Sequence, residues 1–276
     1  MNFDMSTTWA RAIELVRDNF GLLAVIAGIF LLLPTVTLYL LVPDLQALME
    51  PGADPDMVTA RMAEMAGPLI TYGLISMVFS FAGYGAMVAL MGDDRPTVGQ
   101  AIKTGLKIVP SAFGILILFI LCYFIAAMIV AIPIGVIASL SGMASLAIIA
   151  AVLILAVVIY LLARMSMSLP VLVFENTLNP IKAVLGSFKM TGPKQWSILL
   201  FWGILLAAYM VIALLITSIF SLIAAIAGDS TAAMLILGLT NGALGMIVGM
   251  IVSGLAVAMY GQLAGPSDTE LTSTFD

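Results

Sequence analysis

Two ionisable residues flank an apolar decapeptide in the middle of this chain. Arg164 precedes MSMSLPVLVF and Glu175 follows it, with Asn179 and Lys182 close behind. A guanidinium, a carboxylate, an amide and an ammonium in that order suit a site for a polar headgroup or a coupled ion, because charge next to hydrocarbon usually carries function. The same residues also suit a structural ion pair, or a carboxylate and an amide capping a helix that starts near Asn179. Both readings start from one expectation: Pro170 ends or kinks the preceding helix near Leu169, leaving Glu175 at a membrane interface. Covalent and metal chemistry have little to work with. The chain has no histidine, which removes the commonest general base and metal ligand. It shows no phosphate-binding glycine loop, GxSxG elbow or HExxH. The nineteen methionines are scattered apolar filler, with Met165 and Met167 as a rare tight pair. Cys122 has no second cysteine to bridge.

The elements around these residues are set by composition. Of 276 residues, 63% are hydrophobic and 9% charged, with a mean hydropathy of +1.21. A water-facing globule needs about 25% charged residues, so most of this surface meets lipid. The chain is expected to be an all-α, polytopic helical bundle forming a single integral membrane domain. Six apolar runs reach the roughly 20 residues needed to span: Phe20 to Val42, Pro68 to Met91, Val109 to Ala138, Met143 to Leu162, Gln195 to Ala227 and Ala232 to Leu263. The first run is too long for a cleaved signal, and Asp4 and Glu14 precede it.

Of ten basic residues, only Arg61 falls outside the segments before the first span, between the second and third, and between the fourth and fifth. That bias predicts cytoplasmic termini in the inner membrane of a prokaryote. The opposite loop carries Asp44, Glu50, Asp54, Asp56 and Glu64, read as solvated acids that lack a metal-binding spacing.

A pattern recurs before each odd-numbered span. Trp9, Ile13, Val16 and Phe20 share a helical face opposite Arg11, Glu14 and Asp18. Val98, Ile102, Gly105 and Val109 repeat the offsets, opposed by Gln100, Lys103 and Lys107. Ile181, Leu185 and Phe188 repeat them again, flanked by Lys182 and Lys189. The copies start 89 and 83 residues apart, and YGAMVALMGDD at 84–94 is echoed by YGQLAGPSD at 260–268. Three repeats are therefore expected, 1–94, 95–178 and 179–276, each an interfacial amphipathic helix followed by two spans. Thr97 with Gln100 forms a capping box, Asn179 caps with Pro180 at the first helical position, and Gly192-Pro193 should stop the third amphipathic helix. Lysines on these helices would meet anionic headgroups.

In the last span, Gly238/Gly242 and Gly245/Gly249/Ser253 are two sets of small residues four apart that permit close helix packing. Ser76 and Ser80 suit the same contact. Thr240 and Asn241 could hold a substrate, or bond to a neighbouring helix.

WARAIELVRDNFGLL leading into LLLPTV, together with ARMSMSLPVLVFENTLNPIKAVLGSFKMTGPKQWSILL, resembles the integral membrane domain associated with bacterial glycerophosphoryl diester phosphodiesterases and related bacterial membrane families. The resemblance implies a membrane domain only. The catalytic barrel of that family has no counterpart in these residues, so hydrolase activity is not carried over. The expected function is a non-enzymatic membrane protein that organises, senses or presents lipid, with membrane lipids, a membrane-protein partner or a second copy as partners. No cofactor, metal or nucleic acid is expected. A small secondary transporter is the alternative, and a lipid-modifying enzyme using Glu175 a third reading.

Overall fold

A computed structural model describes residues 3–41, 55–141, 143, 145–228 and 230–264. The chain is all-α, with no strand among the described residues, and six helical segments are long and apolar enough to cross a membrane. It is a multi-pass membrane protein. The helices are α1 (Met5–Asp18), α2 (Phe20–Ala27), α3 (Leu33–Leu41), α4 (Pro55–Leu90), α5 (Val98–Ser141), α6 (Leu146–Met165), α7 (Ser168–Phe174), α8 (Pro180–Thr191), α9 (Gln195–Ile226) and α10 (Thr231–Ala264). Asp44, Glu50, Asp54 and the segment 265–276 lie outside the described residues, whereas Asp56 and Glu64 belong to α4.

The chain divides into two compact units. One comprises Ile13–Val109 and Ala208–Gly254. Here a π-helical turn, Gly28–Leu32, joins α2 to α3, and the amide of Leu33 reaches the carbonyl of Gly28, five residues back. The Tyr72 hydroxyl donates to the carbonyl of Pro34. Glycines bring α10 onto this segment. A Cβ at Gly238 would lie 3.3 Å from the Val36 Cα, and one at Gly242 3.1 Å from the Leu32 carbonyl oxygen. One at Gly249 would collide with the Leu31 side chain, while Gly245 has open space. Ser253 is buried, its hydroxyl without a hydrogen-bond partner. Thr240 and Asn241 bond the carbonyls of Ile236 and Leu237 in their own helix, at 2.7 and 3.0 Å. Ser76 is likewise buried and unpartnered at its hydroxyl. Gly105 lets α5 meet α4: a Cβ there would strike the Ala82 carbonyl oxygen and lie 2.8 Å from the Ala86 nitrogen.

The amphipathic segments differ in how they join their spans. The first is a separate helix, since Asn19 leaves helical geometry (φ −112°, ψ 11°) and its side-chain amide bonds the Leu15 carbonyl. The second is not. Thr97 and Gln100 do form the reciprocal capping box, at 2.9 and 3.4 Å, but the helix they start runs for 44 residues through Pro110 to Ser141. A single proline removes one helical hydrogen bond and can bend a helix without ending it. Gly105 is used for packing, not for a lipid-facing stripe. The third also continues. Gly192 is right-handed (φ −53°, ψ −54°), and a single 3₁₀ turn, Gly192–Lys194, leads from α8 into α9. Without a left-handed glycine there is no reversal, and Pro193 occupies a turn position where its missing N–H costs nothing.

The other unit comprises Met1–Ala12, Pro110–Ala207 and Leu255–Asp276, and it holds every residue of the candidate site.

Candidate polar site on the α6–α7–α8 hairpin

α6 is apolar from Leu146 to Ala163 and releases its backbone at Ser166 and Met167. Pro170 does not cause the break where it stands. It sits in the first turn of α7, where helix amides lack partners anyway, so the interruption falls three residues earlier than Leu169. α7 ends at Glu175, whose amide bonds the Val171 carbonyl at 3.1 Å. Asn176 then takes the left-handed conformation (φ 47°), which asparagine tolerates better than most residues. The chain reverses, and Asn179 caps α8 by accepting from the amides of Ile181 (2.9 Å) and Lys182 (3.2 Å). Pro180 occupies the first helical position.

The start of α8 is anchored on α5. The Ser111 hydroxyl donates to the Leu178 carbonyl at 2.7 Å. A Cβ on Gly114 would lie 2.7 Å from Pro180, so only glycine permits that approach. From there α8 runs back along α7 towards the end of α6, with Gly186 against Val171. Two buried hydroxyls on α8 complete the contact. Ser187 Oγ accepts from the Met167 amide (3.1 Å) and donates to the Arg164 carbonyl (2.6 Å), pairing two groups that the break in α6 would otherwise strand. Thr191 Oγ1 lies 3.3 Å from the same carbonyl and 2.7 Å from that of Ser187.

The hairpin separates residues that the sequence suggested as one cluster. Arg164 meets the far end of α8, twelve residues from Asn179, about 18 Å along a helix. Its Nη1 donates to Thr191 Oγ1 at 2.9 Å, and its guanidinium lies 4.6 Å from the Phe188 ring centroid. Its Nε is buried and unpartnered. One turn earlier, the Tyr160 hydroxyl bonds Gln195 Oε1 at 3.2 Å.

Glu175 and Arg164 form no ion pair. Glu175 instead lies beside Tyr260 of α10, close enough for the two side chains to interact, and the neighbouring Phe174 ring packs 5.0 Å from that of Tyr260. Arg164 is held at the opposite end of the hairpin because Ser187 and Thr191 draw α8 onto the end of α6. Asn179 and Lys182 meet only through the cap. Lys182 is exposed, as is Lys189.

Ser187, Thr191 and Tyr260 are the residues that spacing alone did not single out. Ser187 and Thr191 stand four apart on the small-residue side of an otherwise amphipathic helix, and Tyr260 belongs to the repeated Tyr-Gly pair. Those were the available signals.

A second anchor lies at the start of α1. The Asp4 carboxylate accepts from the Thr7 amide (2.8 Å) and the Ser6 hydroxyl (2.7 Å). The Thr7 amide first, then the Ser6 hydroxyl, holds the Asp4 carboxyl below its ordinary value. The backbone of Asp4 pairs with the Gln262 side chain at 3.2 and 3.4 Å. Comparison with family models, curated proteins and solved structures gives no match.

Proposed function

We propose that this chain is a non-enzymatic protein of a prokaryotic inner membrane that gathers anionic lipid at its cytoplasmic face. One observation carries the reading. α8 leaves Ile181 (56%) and Leu185 (63%) exposed on one side, next to the exposed ammonium groups of Lys182 and Lys189. An apolar stripe edged by lysines suits a helix lying in the headgroup layer, and each such lysine contributes about 1 kcal/mol of attraction to an anionic surface. α1 offers a similar stripe in Trp9 (41%) and Ile13 (38%), while its small face, Thr8 and Ala12, is buried. In this reading the three amphipathic segments are repeats on the side rich in Lys and Arg, both termini are cytoplasmic, and the resemblance to the phosphodiesterase-associated membrane domain extends to the lipid surface but not to hydrolysis. The transporter alternative draws no support from Thr240 and Asn241, which spend their side chains on their own helix.

The test is lipid enrichment. Purified protein extracted with its native lipid shell should carry an excess of anionic over zwitterionic phospholipid, measured by mass spectrometry. Lys182→Gln with Lys189→Gln should reduce that excess. An unchanged lipid shell in the double variant refutes the proposal.

A further inference from the structure

We infer that Arg164 holds the phosphate of an anionic phospholipid at a discrete site between the ends of α6 and α8. The site deepens the lipid-gathering reading and shares only Lys189 with its lysine stripe, which begins at the other end of α8.

The argument starts from an arginine with charge and donors to spare. A guanidinium carries five N–H donors in a fixed fork. Here Thr191 takes one, and no other hydrogen bond or carboxylate partner of Arg164 is found among the described residues. The residue is only partly buried, and since Nε is enclosed, the donors left for a ligand are those of the two Nη atoms. The C-terminal end of α8 approaches it and Arg164 itself stands in the last turn of α6, but each end contributes only about half a negative charge. They orient the cation and leave an anion to complete it. Burial of an uncompensated charge next to hydrocarbon is costly.

The geometry is pre-set for a planar, bidentate acceptor. The Phe188 ring covers one guanidinium face, Thr191 fixes Nη1, and Gly192 lies alongside, where a Cβ would make ordinary contact with Nη1 at 3.5 Å and Nη2 at 3.8 Å. Such a stacked, clamped fork favours carboxylate or phosphate over a point acceptor. The setting selects phosphate of lipid. Lys189 stands next to Phe188, and Trp196, 70% exposed, follows one turn after Gly192. Exposed tryptophan with basic residues marks headgroup depth, where phosphodiester is the abundant anion.

Thermal unfolding of the full chain in non-ionic detergent reads the site. Titrating phosphatidylglycerol should raise the midpoint saturably, and native mass spectrometry should show one retained lipid. Inorganic phosphate and a diacylglycerol of the same acyl chains separate the sources. If phosphate alone matches the lipid, the site stands and its ligand is soluble phosphate. If only the phospholipid acts, the ligand is the headgroup. Arg164→Gln should abolish the saturable shift. Arg164→Lys keeps the charge at the helix ends, so it protects the fold, and should weaken binding about tenfold by losing the fork. Lys182→Gln should keep the shift even where it lowers bulk enrichment, which separates this site from the rest of the lysine stripe. The inference is overturned by no saturable shift in the wild type, by an equal shift from diacylglycerol, or by wild-type affinity in folded Arg164→Lys.

Discussion

Replacing Ser187 with alanine removes one oxygen from the most densely bonded point of the hairpin. Ser187 is fully buried, and its hydroxyl serves the Met167 amide at 3.1 Å and the Arg164 carbonyl at 2.6 Å. A buried group left unpaired costs about 1–3 kcal/mol. The Arg164 carbonyl keeps a second donor in Thr191 at 3.3 Å, so most of the loss falls on the Met167 amide. Ser187→Ala should therefore cost about 2 kcal/mol, with little packing change because only one atom leaves. Thr191→Val, which keeps the volume, removes the carbonyl's other donor and the partner of Arg164 Nη1. In the double variant the carbonyl has neither donor, so the combined loss should exceed the sum of the singles by about 1 kcal/mol. Equilibrium unfolding in mixed micelles, with denaturing detergent as the variable, measures all three differences. A Ser187→Ala loss below about 0.5 kcal/mol, within the ordinary range for surface changes, or strict additivity in the double variant, would refute the claim that these hydroxyls close α8 onto the break in α6.

Gly105→Val should be among the worst-tolerated changes in the chain, costing several kcal/mol, because the new Cβ meets backbone of Ala82 and Ala86 that cannot rotate away; failure to recover folded protein from membranes, against normal recovery of Gly245→Val, checks it. The first turn of α1 should loosen in acid. Its carboxyl is held below the ordinary Asp value, so the stabilisation is fully present above about pH 4 and disappears as the pH falls through the lowered folded value; Asp4→Asn should cap without that dependence, and pH-dependent exchange of the Thr7 amide distinguishes them. Impermeant thiol reagent on a Cys122→Ser background should reach Glu64→Cys in intact cells and Asp94→Cys only after permeabilisation; equal labelling would reject the orientation read from the basic residues.

Local signals in the sequence translated directly where one residue decides the geometry. Asn179 before Pro180 and Thr97 before Gln100 cap as their types require, and four of the six apolar runs correspond to helical segments within a few residues, whereas α4 and α5 begin 13 and 11 residues ahead of their runs. The failures share a cause. Gly192-Pro193 reads as a stop, but a break also needs a reason for the chain to turn, and none is present there. At Ser166–Met167 the chain does break, because α8 supplies hydroxyls for the freed groups. That pairing joins residues more than 20 positions apart and has no periodic signature. The same holds for Glu175: proximity in sequence offers a pair with Arg164 or a cap near Asn179 and Lys182, yet the fold brings Tyr260 of α10 beside it.

The π turn at Gly28–Leu32 is in effect a one-residue insertion carried within a spanning helix. Its five residues turn the chain about as far as four residues of ordinary helix, so removing one of them would change little downstream. Removing a residue from the ordinary helix between Leu33 and Val36 would instead turn everything after it by about 100°. Val36 and Tyr39 would rotate away from Gly238, and the close seat of α10 would lose the surface it was cut to fit. A deletion that leaves the apolar run long enough to span would thus still unseat the helix, since hydropathy records length and says nothing of azimuth.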